Sequence, residues 1–504
     1  MPGPFFEDVW NSTYEARAGS HHWDRRYRDY GKGRLSVKVR LGIDIACRAH
    51  HQASATDETG EFLWSGWRFR TTPVDLEALW AKLPEGAEVT VIMEPARNAW
   101  VPLAAWLKAR DATVVLVAPE RSADLRDYYA KHTKTDRLDS RMLARLPLLH
   151  PEGLEPLHGL GPADTFKRTV RRRWSLVERR HACCQRLDAL VEMLGPSYAD
   201  VLGATSYTDT ALAVLERYAD PRALRRAGRQ RLAELVRRVS RGHFAEAKVA
   251  ELLVAADEAL SLWAGGGLDF AELAADIAAE IRLVRALGDE IAKLDARIES
   301  LYHQADPDGI VVSAPGLGVT LAAGILGRFG DLDRFANLAG VRSFTGLVPK
   351  IDQSGNSHGH GGPTKSADPG LRMTLFLAAD HARRADPQLA AKYYRLVVEQ
   401  GKHHDSALCH LAATLASRVA ACWRRRERYV LRDIDGREVT EAEGRAIVAE
   451  RYRISDEVRQ ARRTTSKAKK LKGRTSRRSQ KSTGAAPASG PSTSRKSTRA
   501  KKVA

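Results

Sequence analysis

Four acidic residues in the first third of the chain stand where carboxylates can do chemistry. Asp44 lies near the end of the β-branched run Val37–Ala46 (VKVRLGIDIA), and Glu94 follows the run Glu88–Met93 (EVTVIM). A charge there costs free energy unless it is solvated, paired or coordinating. Asp136 and Asp139 follow in Lys134-Thr135-Asp136-Arg137-Leu138-Asp139. Their spacing puts both on one face of a helix. Acids at strand ends and on a helix can converge at one edge of a sheet. Four carboxylates held close repel one another without a counter-charge, so a cation is expected among them. Mg²⁺ (or Mn²⁺) takes such oxygen ligands. Two such ions stabilise the attacking and leaving oxygens of an in-line displacement at phosphorus. Taken singly, each acid also has an ordinary reading, since surface carboxylates are common and Asp-x-x-Asp at a helix start is often a cap.

A sheet is needed to position these groups, and the chain supplies one. Val37–Ala46, His50–Asp57 and Phe62–Phe69 read as strands, the last two joined by the turn-forming Glu58-Thr59-Gly60. Pro73–Leu83 has helical spacing, followed by a strand at Glu88–Met93, a helix at Ala99–Ala109, a strand at Thr113–Val117 and a helix at Ser122–Ala130. Three strands, a helix, then alternating strand and helix make a mixed α/β sheet. No GxGxxG follows the first strand, which argues against a dinucleotide site.

Beyond the sheet the pattern becomes helical. Asp164–Leu194, Leu224–Val239 and Phe270–Tyr302 are long, charged and amphipathic. Ile281, Leu283, Val284, Leu287, Ile291, Leu294, Ile298 and Leu301 form an apolar stripe. That stripe suits a coiled coil between protomers or helices folded back on each other. A third unit opens with Ala314-Pro315-Gly316-Leu317-Gly318 and an apolar helix over Val319–Leu326. Helix, glycine turn and helix is the pattern of a helix–hairpin–helix element, whose turn can offer N–H groups to a phosphate; an ordinary helical turn reads the same way. Pro369–Arg384 and Gln388–Glu399 continue as helices, and Arg424 to about Arg459 is mixed. The divisions expected are an extension (1–36), the acidic sheet domain (37–155), a helical spacer (156–307), a mostly helical domain (308–430), a mixed segment (431–461) and a basic tail (462–504).

The chain has 504 residues and a formal charge of +19. Fifteen Lys or Arg and no acid fall between Arg462 and Ala504, so only about +4 belongs to everything before. A segment of Ser, Thr, Lys, Arg, Ala and Pro cannot bury enough to offset its ordering entropy, and disorder is expected. Such a polycation binds phosphate backbones without reading sequence. The five cysteines form no CxxC pair and fit a reducing, cytoplasmic setting. Cys183 and Cys184 read as helix-packing residues. His403, His404, Cys409 and His410 cluster in sequence, but their spacing matches no strong metal template. No apolar run is long enough to span a membrane, and no signal-peptide core is present.

At these residues the chain resembles a known family. Gly42-Ile43-Asp44-Ile45-Ala46, Met93-Glu94-Pro95-Ala96 and Lys134–Asp139 look like the N-terminal acidic (DEDD) domain of IS110/IS1111-type transposases. Pro315-Gly316-Leu317-Gly318, Phe344-Thr345-Gly346-Leu347-Val348-Pro349, Gln353-Ser354-Gly355 and Thr364-Lys365 look like that family's C-terminal transposase domain. The motifs fall in the family's order, over roughly 38–150 and 308–385. Ser366-Ala367-Asp368-Pro369 departs from the small Gly/Asn-type pair usual after the Thr-Lys.

The resemblance implies an RNase H/RuvC-like fold whose four acids, Asp44, Glu94, Asp136 and Asp139, bind Mg²⁺. It also implies a serine, Ser354 by position, that attacks DNA and forms a phosphoserine link. Family members act as homo-oligomers, so a dimer or tetramer is implied, with a noncoding bridge RNA that pairs with donor and target DNA. A serine hydroxyl is a weak nucleophile and needs activation. Ser357 competes three residues away, in a Gly-rich polar segment (352–362) that also holds His358 and His360. Lys134, Arg137, Lys365 and Arg372 are candidate nucleic-acid contacts, and each reads equally as a surface charge. Two other functions fit the same residues. One is a Holliday-junction-type endonuclease using water, in which Ser354 is dispensable. The other is a nucleic-acid-binding scaffold with structural acids.

Overall fold

The computed structural model describes residues 37–129, 135–202, 207–240, 246–354, 357–364, 368–458 and 460–461. The N-terminal extension, the basic tail, Lys134 and Lys365 lie outside these residues. The chain divides into two compact units, one ending at Asp164 and one starting at Thr165.

The first unit is built on the strands β1 (Lys38–Asp44), β2 (His51–Thr56), β3 (Phe62–Phe69), β4 (Glu88–Glu94) and β5 (Thr113–Leu116). They form one sheet in the order β3-β2-β1-β4-β5. β1, β2 and β3 pair antiparallel, while β1, β4 and β5 run parallel. The expected mixed sheet is therefore present. Helices α1 (Pro73–Trp80) and α2 (Trp100–Lys108) connect strands, and α3 (Pro119–Tyr129) and α4 (Asp136–Leu149) follow β5. Thr72 caps α1 by accepting from Asp75 N, with Pro73 in its first turn.

Alternation along the strands sends side chains to opposite faces. Val39, Leu41, Ile43, Ala53 and Ala55 join Leu76, Leu79, Leu103 and Leu107 of α1 and α2 in one core. Gly42, Ser54 and Ile92 serve the other face. There Ile92 packs with Val117 and with Leu143 and Leu146 of α4.

Among its described residues, the second unit is helical apart from one hairpin and an isolated bridge between Arg432 and Glu438. Its long helices are α5 (Thr165–Glu192), α8 (Pro221–Ser240), α9 (Glu246–Leu262) and α10 (Phe270–Ala305), with the shorter α6 (Pro196–Leu202) and α7 (Asp209–Tyr218) between them. α5 and α10 lie antiparallel: Arg173 pairs with Asp295, and Arg186 with Glu280 at 2.8 Å. The stripe on α10 is thus met from within the chain. Ile281, Val284, Leu294 and Ile298 are buried, whereas Leu283 is 49% exposed and does not belong to it. Cys183 and Cys184 are buried in the core that α5 to α10 share. α8 is two helices joined at Gly228, whose φ of 72° breaks the helix that its periodicity suggests.

A second core gathers α11 (Val319–Phe329), α12 (Leu338–Thr345), α13 (Pro369–Ala382), α14 (Pro387–Tyr394) and α15 (His404–Arg425), with the ends of α5 and α10. A short α16 (Glu441–Arg451) follows, started by a capping box between Thr440 and Glu443. The glycine turn before α11 faces inward at one point: Gly316 has φ 72°, and a Cβ there would meet His381 and Ala382 at 2.7–3.0 Å. No described helix is long and apolar enough to cross a membrane.

Candidate active site

Asp44 and Glu94 end their strands as direct partners in the parallel β1–β4 ladder. Neighbouring strands lie about 4.8 Å apart, and paired residues of a parallel ladder project to the same face. Counting from Gly42 and Ile92, that face is the one covered by α4. Both acids are half-buried at its edge.

α4 lies very close to β1. A Cβ on Gly42 would come within 2.2 Å of both Ala144 N and Ser140 O, so only glycine permits the contact. Beneath the helix, Ser140 Oγ donates to Arg137 O at 3.0 Å and lies 2.9 Å from Ser54 Oγ. Those hydroxyls are buried and need such partners. Towards the helix C-terminus, Arg145 donates to Gly60 O at 3.1 Å, and Arg141 and Arg145 lie over Phe62. Phe62 pairs with Thr56, which pairs with Arg40 near the start of β1. The C-terminal half of α4 therefore sits at the start of β1, and its first turn points to the end where Asp44 and Glu94 lie.

That first turn carries Asp136, exposed, and Asp139, half-buried. Thr135 is the cap, its hydroxyl accepting from Leu138 N at 3.2 Å. Neither aspartate is needed as the capping residue, though both favour the positive helix end. The four acids thus share one face and one end of the sheet. They are not drawn into a closed ligand group: among the described residues, no three His, Cys, Asp or Glu stand close enough to hold a metal ion. Mutual repulsion favours such spacing between carboxylates. The donor set itself, all carboxylate oxygen, suits a hard divalent cation.

The loops beyond the acids are fastened by residues that sequence reasoning did not single out. Ala46 N–H donates to His51 Nδ1 at 3.1 Å. That nitrogen must then be unprotonated, so Nε2–H donates to Thr71 Oγ1 at 2.8 Å. Burial, with His50 and Arg70 nearby, lowers the His51 pKa and keeps the ring neutral. Cys47 Sγ donates to Ala96 O at 3.8 Å, tying the loop after β1 to the loop after β4. Arg97, three residues past Glu94, sits at φ 48°, a strained value for a non-glycine residue. Of these, only His51, polar at the start of an apolar strand, carried a sequence signal.

The other expected residues lie elsewhere. Arg137 is exposed and runs along Gly66, its Nε 3.4 Å from Ser65 Oγ. Arg372 is half-buried in the first turn of α13. Ser354 belongs to the second unit. The Gly-rich polar segment lies in a two-stranded hairpin of β6 (Pro349–Ser354) and β7 (Ser357–Pro363), with Ser354 opposite Ser357 and Gln353 opposite His358. His403, His404 and His410 are taken up separately: His403 caps α15, His404 meets Tyr393 OH at 2.7 Å, and His410 meets Lys402 at 3.0 Å.

Comparison with known proteins gives these acids a context. Residues 41–196 match the DEDD-type IS110 family model, described as a transposase, and residues 309–395 match that of the transposase IS116/IS110/IS902 family. Both matches define an enzyme that acts on DNA as a transposase. The insertion element IS110 43.6 kDa protein of Streptomyces coelicolor is 31% identical over 387 residues, covering 75% of this chain and 91% of that protein. The insertion element IS900 42 kDa protein of Mycobacterium paratuberculosis is 28% identical over 389 residues, covering 75% and 94%. The chain belongs to the IS110 family of transposases.

Proposed function

We propose that this transposase cuts and rejoins DNA by attack of the Ser354 hydroxyl on a backbone phosphorus. The acids Asp44, Glu94, Asp136 and Asp139 would serve as ligands for Mg²⁺ or Mn²⁺. The support is the pairing of Asp44 with Glu94 on the face and at the end towards which the acidic first turn of α4 points. A five-stranded sheet of order 3-2-1-4-5, with three antiparallel strands followed by parallel ones, also suits an RNase H/RuvC-like domain. On this reading residues 37–155 form the acidic domain, 156–307 a spacer and 308–430 the serine domain.

Bound divalent metal would supply charge neutralisation at the scissile phosphate and ease deprotonation of a nearby hydroxyl. The chain's own parts do the rest. Ser354 Oγ forms a bond to phosphorus as one DNA P–O bond breaks; the serine proton is passed on and the released strand end leaves as a hydroxyl. Rejoining reverses these steps with a different strand end. His51 and Cys47 hold the loops behind Asp44 and Glu94, so the carboxylates are oriented before DNA arrives. We further propose that a noncoding bridge RNA chooses donor and target by base pairing, and that protomers assemble as a dimer or tetramer in the bacterial cytoplasm, on the nucleoid.

The test incubates protein, RNA transcribed from the element's noncoding flank and cognate DNA with Mg²⁺, then denatures. DNA attached to wild-type protein and absent with Ser354→Ala supports the proposal. Attachment that persists in Ser354→Ala and vanishes in Ser357→Ala reassigns the nucleophile. Cleavage that survives both changes means that water attacks, as in a junction endonuclease. Binding without any cleavage leaves a scaffold.

A further inference from the structure

The helical core of the second unit contains a cleft that the proposed chemistry does not use. Its volume is about 480 Å³, and it lies between α12, α14 and α15. Leu338 and Arg342 come from α12, Lys392 from α14, and His410, Ala413, Thr414, Ser417, Arg418 and Ala421 from α15. Among the described residues no carboxylate lines it. Arg418 is already neutralised, since it reaches the buried Asp386 at 3.1 Å and Tyr429 OH at 2.7 Å. Lys392 and Arg342 have no ion pair among the described residues. Lys392 Nζ donates to Thr414 Oγ1 at 2.6 Å.

This arrangement is unfavourable without a partner. Burial lowers the Lys392 pKa, and Arg395, Arg418 and Arg342 lower it further. His410 is pushed down by burial and by Lys402 and Lys392. A half-buried cation beside other cations destabilises a fold, whereas the same core neutralises Arg328 with Asp368 and Arg418 with Asp386. Perturbed cations that line an open cleft make it a candidate binding site.

We propose that this cleft holds the phosphodiester backbone of one strand of the substrate DNA, with Arg342 and Lys392 each contacting a phosphate. His410 to Ala421 line it along one face of α15, roughly 16 Å at 1.5 Å per residue. The cleft is longer than a single phosphate needs, and the absence of carboxylates matches a polyanion. The assignment rests on the chain acting on DNA, and not on Ser354 or the four acids.

The experiment compares full-length wild type, Arg342→Gln/Lys392→Gln and the control Arg445→Gln, an exposed arginine paired with Glu441. Affinity for a duplex of arbitrary sequence is measured against salt, alongside thermal unfolding. The double variant is expected to lower the slope of log K against log[salt] by about 1.8, at about 0.9 per phosphate contact. Its Tm should stay level or rise, because repulsion is relieved; a residue kept for structure would lower it. The control should leave the slope unchanged. An unchanged slope in the double variant overturns the proposal. So does a slope change confined to single-stranded RNA, or wild-type duplex binding displaced by millimolar inorganic phosphate with the same loss in the variant, which would mark a small-anion pocket. A wild type that fails to bind duplex at low salt would strike at the DNA-acting role itself.

Discussion

Charge is handled in opposite ways at the acidic sheet edge and in the C-terminal helical core. In the core, outside the cleft beside α15, opposite charges meet inside. Arg328, its side chain 3% exposed, pairs with Asp368, the residue that caps α13, and lies beneath Gly370. Asp386, 1% exposed, accepts from Arg418, from Tyr429 OH and from Leu389 N. At the sheet edge, like charges stand side by side on strand ends. The first arrangement holds packing together. The second sets two carboxylates, Asp44 and Glu94, in direct register at the ends of neighbouring strands.

The sharpest way to break the comparison is to remove one partner inside the core. Asp386→Ala leaves Arg418 and Tyr429 facing a hole in a buried site. The expected loss is about 3–5 kcal/mol in denaturant unfolding. A loss under about 1 kcal/mol would mean that the core is not held by this pair. Next comes Gly42→Ala at the sheet. Its new Cβ would strike two backbone atoms of α4, so the helix must shift. Roughly 2–3 kcal/mol should be lost, with DNA cleavage falling alongside, since the acidic turn moves with the helix.

Those two sites differ in how far the sequence announced them. Asp44 and Glu94 stood out because each sits near the end of a β-branched run, and such runs specify strands. Their direct pairing did not stand out, because parallel register depends on how the connecting helix packs. Gly42 looked like any strand glycine; its role is visible only once Ser140 and Ala144 lie over it. Around Ser354 the glycines weaken strand preference and hide the hairpin, although Gly355-Asn356 is a hairpin-turn signal in the sequence. In α15, Leu408, Leu411, Ala412, Leu415, Ala416 and Val419 repeat at helical spacing and are all buried. That periodicity specifies the helix in the sequence itself, beside the more conspicuous histidines at its start. The cleft beside it depends on three elements meeting, which no local pattern encodes.

Neutralising an acid at the sheet edge should invert what happens in the core. Glu94→Gln is expected to leave Tm unchanged or raise it slightly, since the neighbouring carboxylate of Asp44 no longer faces a second negative charge. Mg²⁺-dependent strand cleavage should fall by at least about a hundredfold, as expected when a ligand to a catalytic metal is lost. A clear drop in Tm with cleavage intact would make these acids structural and end the contrast.

The smallest effect concerns pH. Burial depresses the His51 pKa in the folded protein, so the unfolded chain binds more protons as pH falls below the ordinary value of 6.5. The stability that neutral His51 contributes is complete above that value and is lost as pH falls through the folded pKa. His404 and His410 are also depressed and push in the same direction, so wild-type Tm should decline between pH 7 and 5 from several sources. His51→Gln removes one of them, and Gln keeps an amide able to reach Ala46 N or Thr71. The variant should therefore lose less Tm than wild type over that interval, whatever its starting Tm. An equal or steeper decline would show that His51 is not held neutral, and that the loop behind Asp44 is fastened by something other than its ring.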